Sequence, residues 1–255
     1  MTHPPSSKRF DEAIAGAAVP RGGRFMRKLR ITLAAWLATA ALLFAAPQAA
    51  HAAVWGSSDQ WASWSNGGYT LYNNIWGSGA GPQSIWANSY SNWGVWANHP
   101  NTGGVKAYPN ASKSVNKKLS ALGSATSSFN VTVPSSGAYT TAYDIWANSN
   151  AYEIMLWMNK TGAVGPIGSL QGSVTVGGHS WNVYSGSNGA NAVFSFVRTS
   201  NTSSGTVDIK AIMNWIKGKG WFGDVTLGNI QFGYEITSSS GGLNFVTNSY
   251  SASAS

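Results

Sequence analysis

From Tyr69 onward the chain is a succession of short β-prone runs separated by clusters of Gly, Ser and Asn, and that rhythm excludes most folds. The candidate strands are Tyr69–Asn74, Ser84–Ala87, Gly94–Ala97, Val105–Tyr108, Ser128–Val133, Ala138–Trp146, Ala151–Met158, Gly172–Val176, His179–Ser185, Ala192–Val197, Asn229–Thr237 and Leu243–Tyr250. Even spacing with turn residues between predicts an all-β protein, a sandwich or jelly roll. One segment breaks the rhythm. Ile209, Ile212, Met213 and Ile216 recur at the spacing of a helix face. With Thr206 as N-cap, Asp208 at the positive end and Gly218 as stop, they predict one short α-helix packed on the sandwich. The Ser/Ala tail from Ser251 is expected to fray.

Strand side chains alternate between faces, so each run sorts its own residues. In Ile230–Thr237, Ile230, Phe232, Tyr234 and Ile236 share a core face, and Gln231, Gly233, Glu235 and Thr237 share the other. In Ala151–Met158, Ile154, Leu156 and Met158 lie opposite Glu153, Met155 and Trp157. In Tyr143–Trp146, Asp144 and Trp146 lie opposite Tyr143 and Ile145. Glu153 and Glu235 are the only glutamates after residue 52, and strands disfavour Glu. Two carboxylates on polar or aromatic strand faces suit acid/base work on a sugar. Such a pair hydrolyses glycosides with retention at about 5–5.5 Å separation, or with inversion at roughly 6.5–9.5 Å. The bland alternative is a strand glutamate on a solvated face, and for Asp144 a strand-end aspartate.

The region before the strands reads as a leader. Arg27-Lys28-Leu29-Arg30 is a basic segment, Ile31–Ala46 is apolar, and Ala50-His51-Ala52 offers a small-x-small cleavage site. This predicts a secretory signal peptide starting at Met26 and cleaved after Ala52, hence an extracellular or periplasmic protein. A transmembrane anchor is the alternative, but the apolar run is short for a span and stops at Pro47. Residues 53–255 are then expected to form one all-β domain.

The formal charge of +8 is misleading, because seven of the sixteen Lys and Arg lie in the leader. After residue 52, nine basic residues face six acids, a net of +3. That is too little and too scattered for nucleic acid. Lys106, Lys113, Lys117 and Lys118 read as a solvated face. There is no cysteine, so neither disulfides nor thiol chemistry are available. His99 and His179 lack metal-ligand spacing, and the Gly-rich stretches match no nucleotide fingerprint. No metal, cofactor or membrane partner is expected of the mature chain.

Twelve tryptophans follow the leader, more than a core holds, so several should be exposed. Exposed Trp stacks on the apolar faces of pyranose rings. Trp76, beside Asn73 and Asn74, and Trp157, sharing a face with Glu153, are the best placed.

These motifs together resemble glycoside hydrolase family 12. Glu153-Ile154-Met155-Leu156-Trp157, Tyr72–Gly77, Val105–Pro109, Tyr143–Trp146, Gly165–Gly168, Trp181–Gly186, Phe194–Phe196 and Phe232–Glu235 follow the family's order across nearly all the chain after the leader. The resemblance implies a monomeric β-jelly roll with an open cleft and retaining hydrolysis of internal β-1,4-glucosidic bonds in cellulose-type, mixed-linkage or xyloglucan chains. It implies Glu153 as nucleophile, Glu235 as general acid/base and Asp144 as support for the nucleophile. It also implies that Asn74 and Trp76 bind the non-reducing side of the substrate and that Met155 lies close beneath the scissile sugar; Trp157, Trp146 and Pro166 are further candidate substrate contacts. Two departures stand out. The disulfide common near the mature N-terminus is absent, which leaves the packing of Trp55–Gln83 open. Thr237 replaces a frequent large aromatic two residues after the acid/base. The rival reading is a non-catalytic β-glucan-binding protein on the same sandwich.

Overall fold

The computed structural model describes residues 52–255; the expected leader, through His51, lies outside them. In chain order the elements are β1 (Trp55–Ser57), β2 (Ser63–Asn66), β3 (Tyr69–Tyr72), β4 (Gln83–Ala87), β5 (Trp93–Ala97), β6 (Asn110–Lys118) and β7 (Ala125–Thr132). They continue with β8 (Ala138–Ala147), β9 (Tyr152–Thr161), β10 (Ser169–Val176), β11 (His179–Ser187), β12 (Ala192–Arg198) and β13 (Ser204–Asp208). Helix α1 (Ile209–Gly218), β14 (Thr226–Ser238) and β15 (Leu243–Ala254) complete the chain.

The strands form two packed sheets, six-stranded β1-β4-β5-β15-β7-β13 and nine-stranded β10-β11-β12-β9-β8-β14-β6-β3-β2. Every pair is antiparallel except β12 with β9. This is the jelly roll with one helix that the sequence predicts. The core lies between the sheets, where Phe232 meets Tyr143, Phe129 and Tyr250 at ring separations of 4.9, 5.2 and 5.0 Å. Ile230, Phe232, Tyr234, Ile236, Ile154, Leu156 and Met158 all face this core with no exposed surface, as alternation requires.

Several local expectations are corrected. Val105–Tyr108 is not a strand; only Ala107 makes bridges, to Ile75 and Ile236. The strand begins instead at Asn110, where alternating Ser, Asn and Lys conceal it from propensity. Lys106 is buried, with its ammonium on the Gly103 carbonyl, rather than on a solvated face. Lys113 stands 4.7 Å over the Tyr69 ring. The helix N-cap is Asp208, whose carboxylate accepts from the Ala211 N–H at 2.9 Å, while Thr206 lies inside β13. Gly218 is the last helical residue and Lys219 the cap. The tail does not fray. Ser251–Ala254 pairs with β7, and the Tyr69 hydroxyl both donates to the Ala252 carbonyl (2.8 Å) and accepts from its N–H (2.9 Å).

A buried polar network ties down the cysteine-free N-terminal region. The Gly81 N–H donates to His99 Nδ1 at 3.0 Å, which leaves Nε2–H to donate to Gln83 Oε1 at 3.0 Å. Gln83 Nε2 in turn donates to the Asn73 carbonyl (2.7 Å) and side-chain oxygen (2.8 Å). Burial, then the nearby Lys106 charge, pulls the His99 pKa down, which keeps the imidazole in the neutral form this network uses.

Candidate active site

A groove of about 570 Å³ runs over the face of the nine-stranded sheet turned away from the core. Three adjacent strands supply its acids. In the register Glu153 (β9) stands opposite Trp146 (β8), Asp144 (β8) opposite Met155 and Gln231, and Glu235 (β14) opposite Thr140 (β8). The glutamates therefore come from the two strands flanking β8, and Asp144 lies between their levels. Ala142, Met155, Trp157, Val193 and Val197 form a separate apolar pad on this face. Asp144 and Glu153 are only 7% and 8% exposed beside it, so both carboxyls are desolvated.

One wall is built by close backbone approach. The Tyr234 N–H donates to the Pro109 carbonyl (3.1 Å), the Ile236 N–H to Ala107 (2.9 Å) and the Lys106 N–H to Ile236 (2.7 Å). Residues 105–109 thus lie along β14 beside Glu235. Gly233 allows it, since a Cβ there would fall 2.0 Å from the Pro109 oxygen. The same segment carries the next layer. The Trp76 N–H donates to the Lys106 carbonyl (3.1 Å), and Asn74, at φ 46°, exchanges bonds of 3.0 and 3.1 Å with Tyr108. Trp76 projects from this support with 53% of its surface exposed.

Burial raises all three acids. Asp144 is raised well above its ordinary range, by desolvation first and then by the charges of Glu153 and Glu235, against a hydrogen bond from Trp146. Its Oδ1 has no hydrogen-bond partner. Glu235 is pushed to about 7 by desolvation and the Glu153 charge. Glu153 is raised by desolvation, and the Asn188 amide opposes the shift by donating to Oε2 at 3.0 Å. The three carboxyls share one electrostatic environment, and they cannot all ionise cheaply.

The groove brings together Glu153, Glu235, Asp144, Asn74, Trp76, Met155, Trp157 and Trp146. Pro166 is flanked by two lining residues, Gly165 and Ile167, without lining the groove itself. Tyr108, Gln231, Asn150 and Asn188 also line it and were not singled out from sequence. For Gln231 the signal was present, since alternation puts it on the Glu235 face. For Asn188 the Ser-Asn-Gly turn was visible, but nothing local shows that it reaches over β9.

A jelly roll whose outer sheet carries paired acids in an aromatic-walled groove defines a class, the polysaccharide-cleaving glycoside hydrolases. A family model described as Glycosyl hydrolase family 12 matches residues 67–255, and the chain belongs to that family. Among its relatives is a probable xyloglucan-specific endo-β-1,4-glucanase A of Aspergillus terreus, 36% identical over 178 residues, covering 62% of this chain and 71% of that protein. Among solved structures, the xyloglucanase domain of NopAA, a type three effector from Sinorhizobium fredii in complex with cellobiose, is 43% identical with a TM-score of 0.77. That match covers 79% of this chain and 99% of the domain. A native family 12 xyloglucanase from Bacillus licheniformis is 30% identical at TM-score 0.70, over 79% of this chain and 100% of that one.

Proposed function

We propose that the protein is a secreted, retaining endo-β-1,4-glucanase with xyloglucan among its substrates. The observation that carries the chemistry is two glutamates in one groove, of which Glu153 accepts an amide hydrogen bond and Glu235 is held protonated by burial. Glu235 titrates at about 7 and so holds its proton in mildly acidic solution. Glu153 is also raised by desolvation, but its Oε2 accepts the Asn188 amide N–H at 3.0 Å, which favours the ionised carboxylate. Burial and the two neighbouring carboxylates favour the protonated form of Asp144 beside it.

Glu153 then attacks the anomeric carbon while the Glu235 carboxyl gives its proton to the departing glycosidic oxygen. The resulting Glu235 carboxylate takes a proton from water, the water oxygen attacks the anomeric carbon, and Glu153 leaves as a carboxylate. Two displacements retain the configuration. Trp76 supplies a stacking surface remote from the reacting bond.

Xyloglucan is supported by the names of the relatives and by room beside the groove. A polar recess of about 410 Å³, walled by Ser114, Asn116, Asn148 and Asn229 among others, adjoins the groove at Asn150, where sugar branches would meet amides and hydroxyls. Secretion rests on the basic, apolar and small-residue pattern of Arg27–Ala52; N-terminal sequencing of protein from the medium should read Ala53.

The test is reducing-end release from xyloglucan, mixed-linkage glucan and carboxymethylcellulose, with NMR of the first anomer formed. Retention gives the β-anomer first; an α-anomer first sinks the mechanism. Glu153→Gln should lose every substrate by about 10⁴-fold or more. Glu235→Ala should keep much of its first-step rate on an aryl glycoside with a good leaving group, and azide should restore its turnover.

A further inference from the structure

Asn188 lies in the turn between β11 and β12 and makes four side-chain hydrogen bonds. Its Oδ1 accepts from the Ala190 N–H (2.9 Å) and the Asn191 N–H (2.8 Å), an Asx-type turn. Its Nδ2 donates to Glu153 Oε2 (3.0 Å) and to Asn191 Oδ1 (3.0 Å). This fixes the amide's orientation. A flipped amide would lose both turn bonds and aim a lone pair at a carboxylate.

The turn is itself braced. Asn191 Nδ2 donates to the Asn150 carbonyl in the β8–β9 turn, and the Ala192 N–H donates to the Ala151 carbonyl at 3.1 Å. The β8–β9 turn is held by three successive left-handed residues, Asn148, Ser149 and Asn150. Glu153 begins only three residues later. One rigid unit therefore connects the backbone that launches Glu153 to the amide that grips its carboxylate.

We propose that Asn188 is a positioning residue for the nucleophile: its N–H fixes the Glu153 rotamer and favours the ionised carboxylate, with Asn191 as its brace. The proposal rests on Glu153 being the nucleophile. A neutral N–H stabilises a carboxylate more than a carboxylic acid. Among the described residues, no other group facing Glu153 hydrogen-bonds its carboxyl. Asp144 on β8, Glu235 on β14 and the register partner Trp146 make no such bond, Val193 has no side-chain donor, and the Tyr108 hydroxyl donates instead to the Ala142 carbonyl at 3.1 Å. The same donor assists the second displacement, when Glu153 departs as an anion.

The experiment compares the pH dependence of kcat/KM on a soluble xyloglucan and an aryl β-cellobioside for wild type, Asn188→Ala, Asn188→Asp and Asn191→Ala, with Tm measured at each pH. Asn188→Asp keeps an oxygen for the two turn amides, so it tests the role even where Asn188→Ala folds poorly. Removing the donor should move the acid limb to higher pH by on the order of one unit. It should lower kcat roughly 10- to 100-fold with little change in KM. Asn188→Asp should move the limb further, because it adds a like charge, and Asn191→Ala should move it less in the same direction. If the acid limbs of both Asn188 variants coincide with wild type, Asn188 is a turn residue only and the proposal is overturned. Glu153→Gln, assayed alongside, separates the two levels: if it remains active, the nucleophile assignment fails first.

Discussion

Strands β8, β9 and β14 each serve two environments, an apolar core on one face and a groove that carries carboxyls on the other. Toward the smaller sheet, Tyr143, Ile145, Ile154, Leu156, Phe232 and Tyr234 are buried in continuous aromatic and aliphatic contact. The Tyr234 hydroxyl there finds Thr247 Oγ1 at 2.8 Å. Buried polar atoms with no partner occur on both sides, Tyr143 Oη, Tyr250 Oη and Trp93 Nε1 in the core and Thr140 Oγ1, Asp144 Oδ1 and Trp157 Nε1 toward the groove, but only the groove face adds buried carboxyls. An unpartnered buried polar atom costs about 1–3 kcal/mol. The core face supplies the stability, and the groove face holds groups in states useful to a sugar rather than to folding.

The largest test of this division is Phe232→Ala. It removes a fully buried ring from the centre of the aromatic contacts and should cost roughly 3–5 kcal/mol of unfolding free energy, read by chemical denaturation. At temperatures where the variant stays folded, its pH profile should match wild type. A loss below about 1 kcal/mol would show that the core face is not where stability resides.

On the groove face the sign reverses. Glu235 binds its proton more tightly in the folded protein, with a pKa of about 7 against an ordinary 4.5. A raised folded-state pKa contributes stability that is fully present below about 4.5 and is lost as pH rises through about 7. Glu235→Gln, which keeps a neutral group there, should therefore match wild type near pH 4.5. At pH 8 it should be more stable by on the order of 1–3 kcal/mol. Equal stability at both pH values would mean that Glu235 is not desolvated.

A smaller, paired test uses two buried threonines. Thr140→Val deletes a hydroxyl that has no partner, and should be neutral or stabilising by up to about 1 kcal/mol. Thr247→Val deletes the partner of the Tyr234 hydroxyl, and should cost about 1–2 kcal/mol. Like signs for the two would show that a hydroxyl's partner does not decide what it contributes to stability.

How much of this was legible in the sequence follows from the same division. The core face could be read directly, because a strand's side-chain period is two and Ile230, Phe232, Tyr234 and Ile236 obey it. That period also placed Glu235, Glu153 and Asp144 on the other face. What alternation cannot show is which distant turns converge on that face. Asn188 and Tyr108 reach the groove through the β11–β12 turn and the backbone contact at Gly233, both set by tertiary packing. Strands β1, β2 and β13 were missed because three to five mostly polar residues carry no period. The tail looked frayed because Ser and Ala lack β propensity, and pairing with β7 overrides that.

The smallest effect should come from Trp76, which belongs to neither face. It stands on the loop that Lys106 and Tyr108 hold beside β14, more than half exposed, so its indole contributes little to the fold. Trp76→Ala should leave Tm within about 1–2 °C of wild type. If the ring stacks on a glucose unit away from the cleaved bond, its loss removes binding made equally in the ground and transition states. KM on polymeric glucan should then rise by roughly 5-fold, equivalent to on the order of 1 kcal/mol of aromatic contact, while kcat stays put. Short aryl glycosides that do not reach Trp76 should show no change at all. A fall in kcat with unchanged KM would instead place the ring's contribution in the transition state, and an unchanged KM and kcat on the polymer would remove Trp76 from the binding surface.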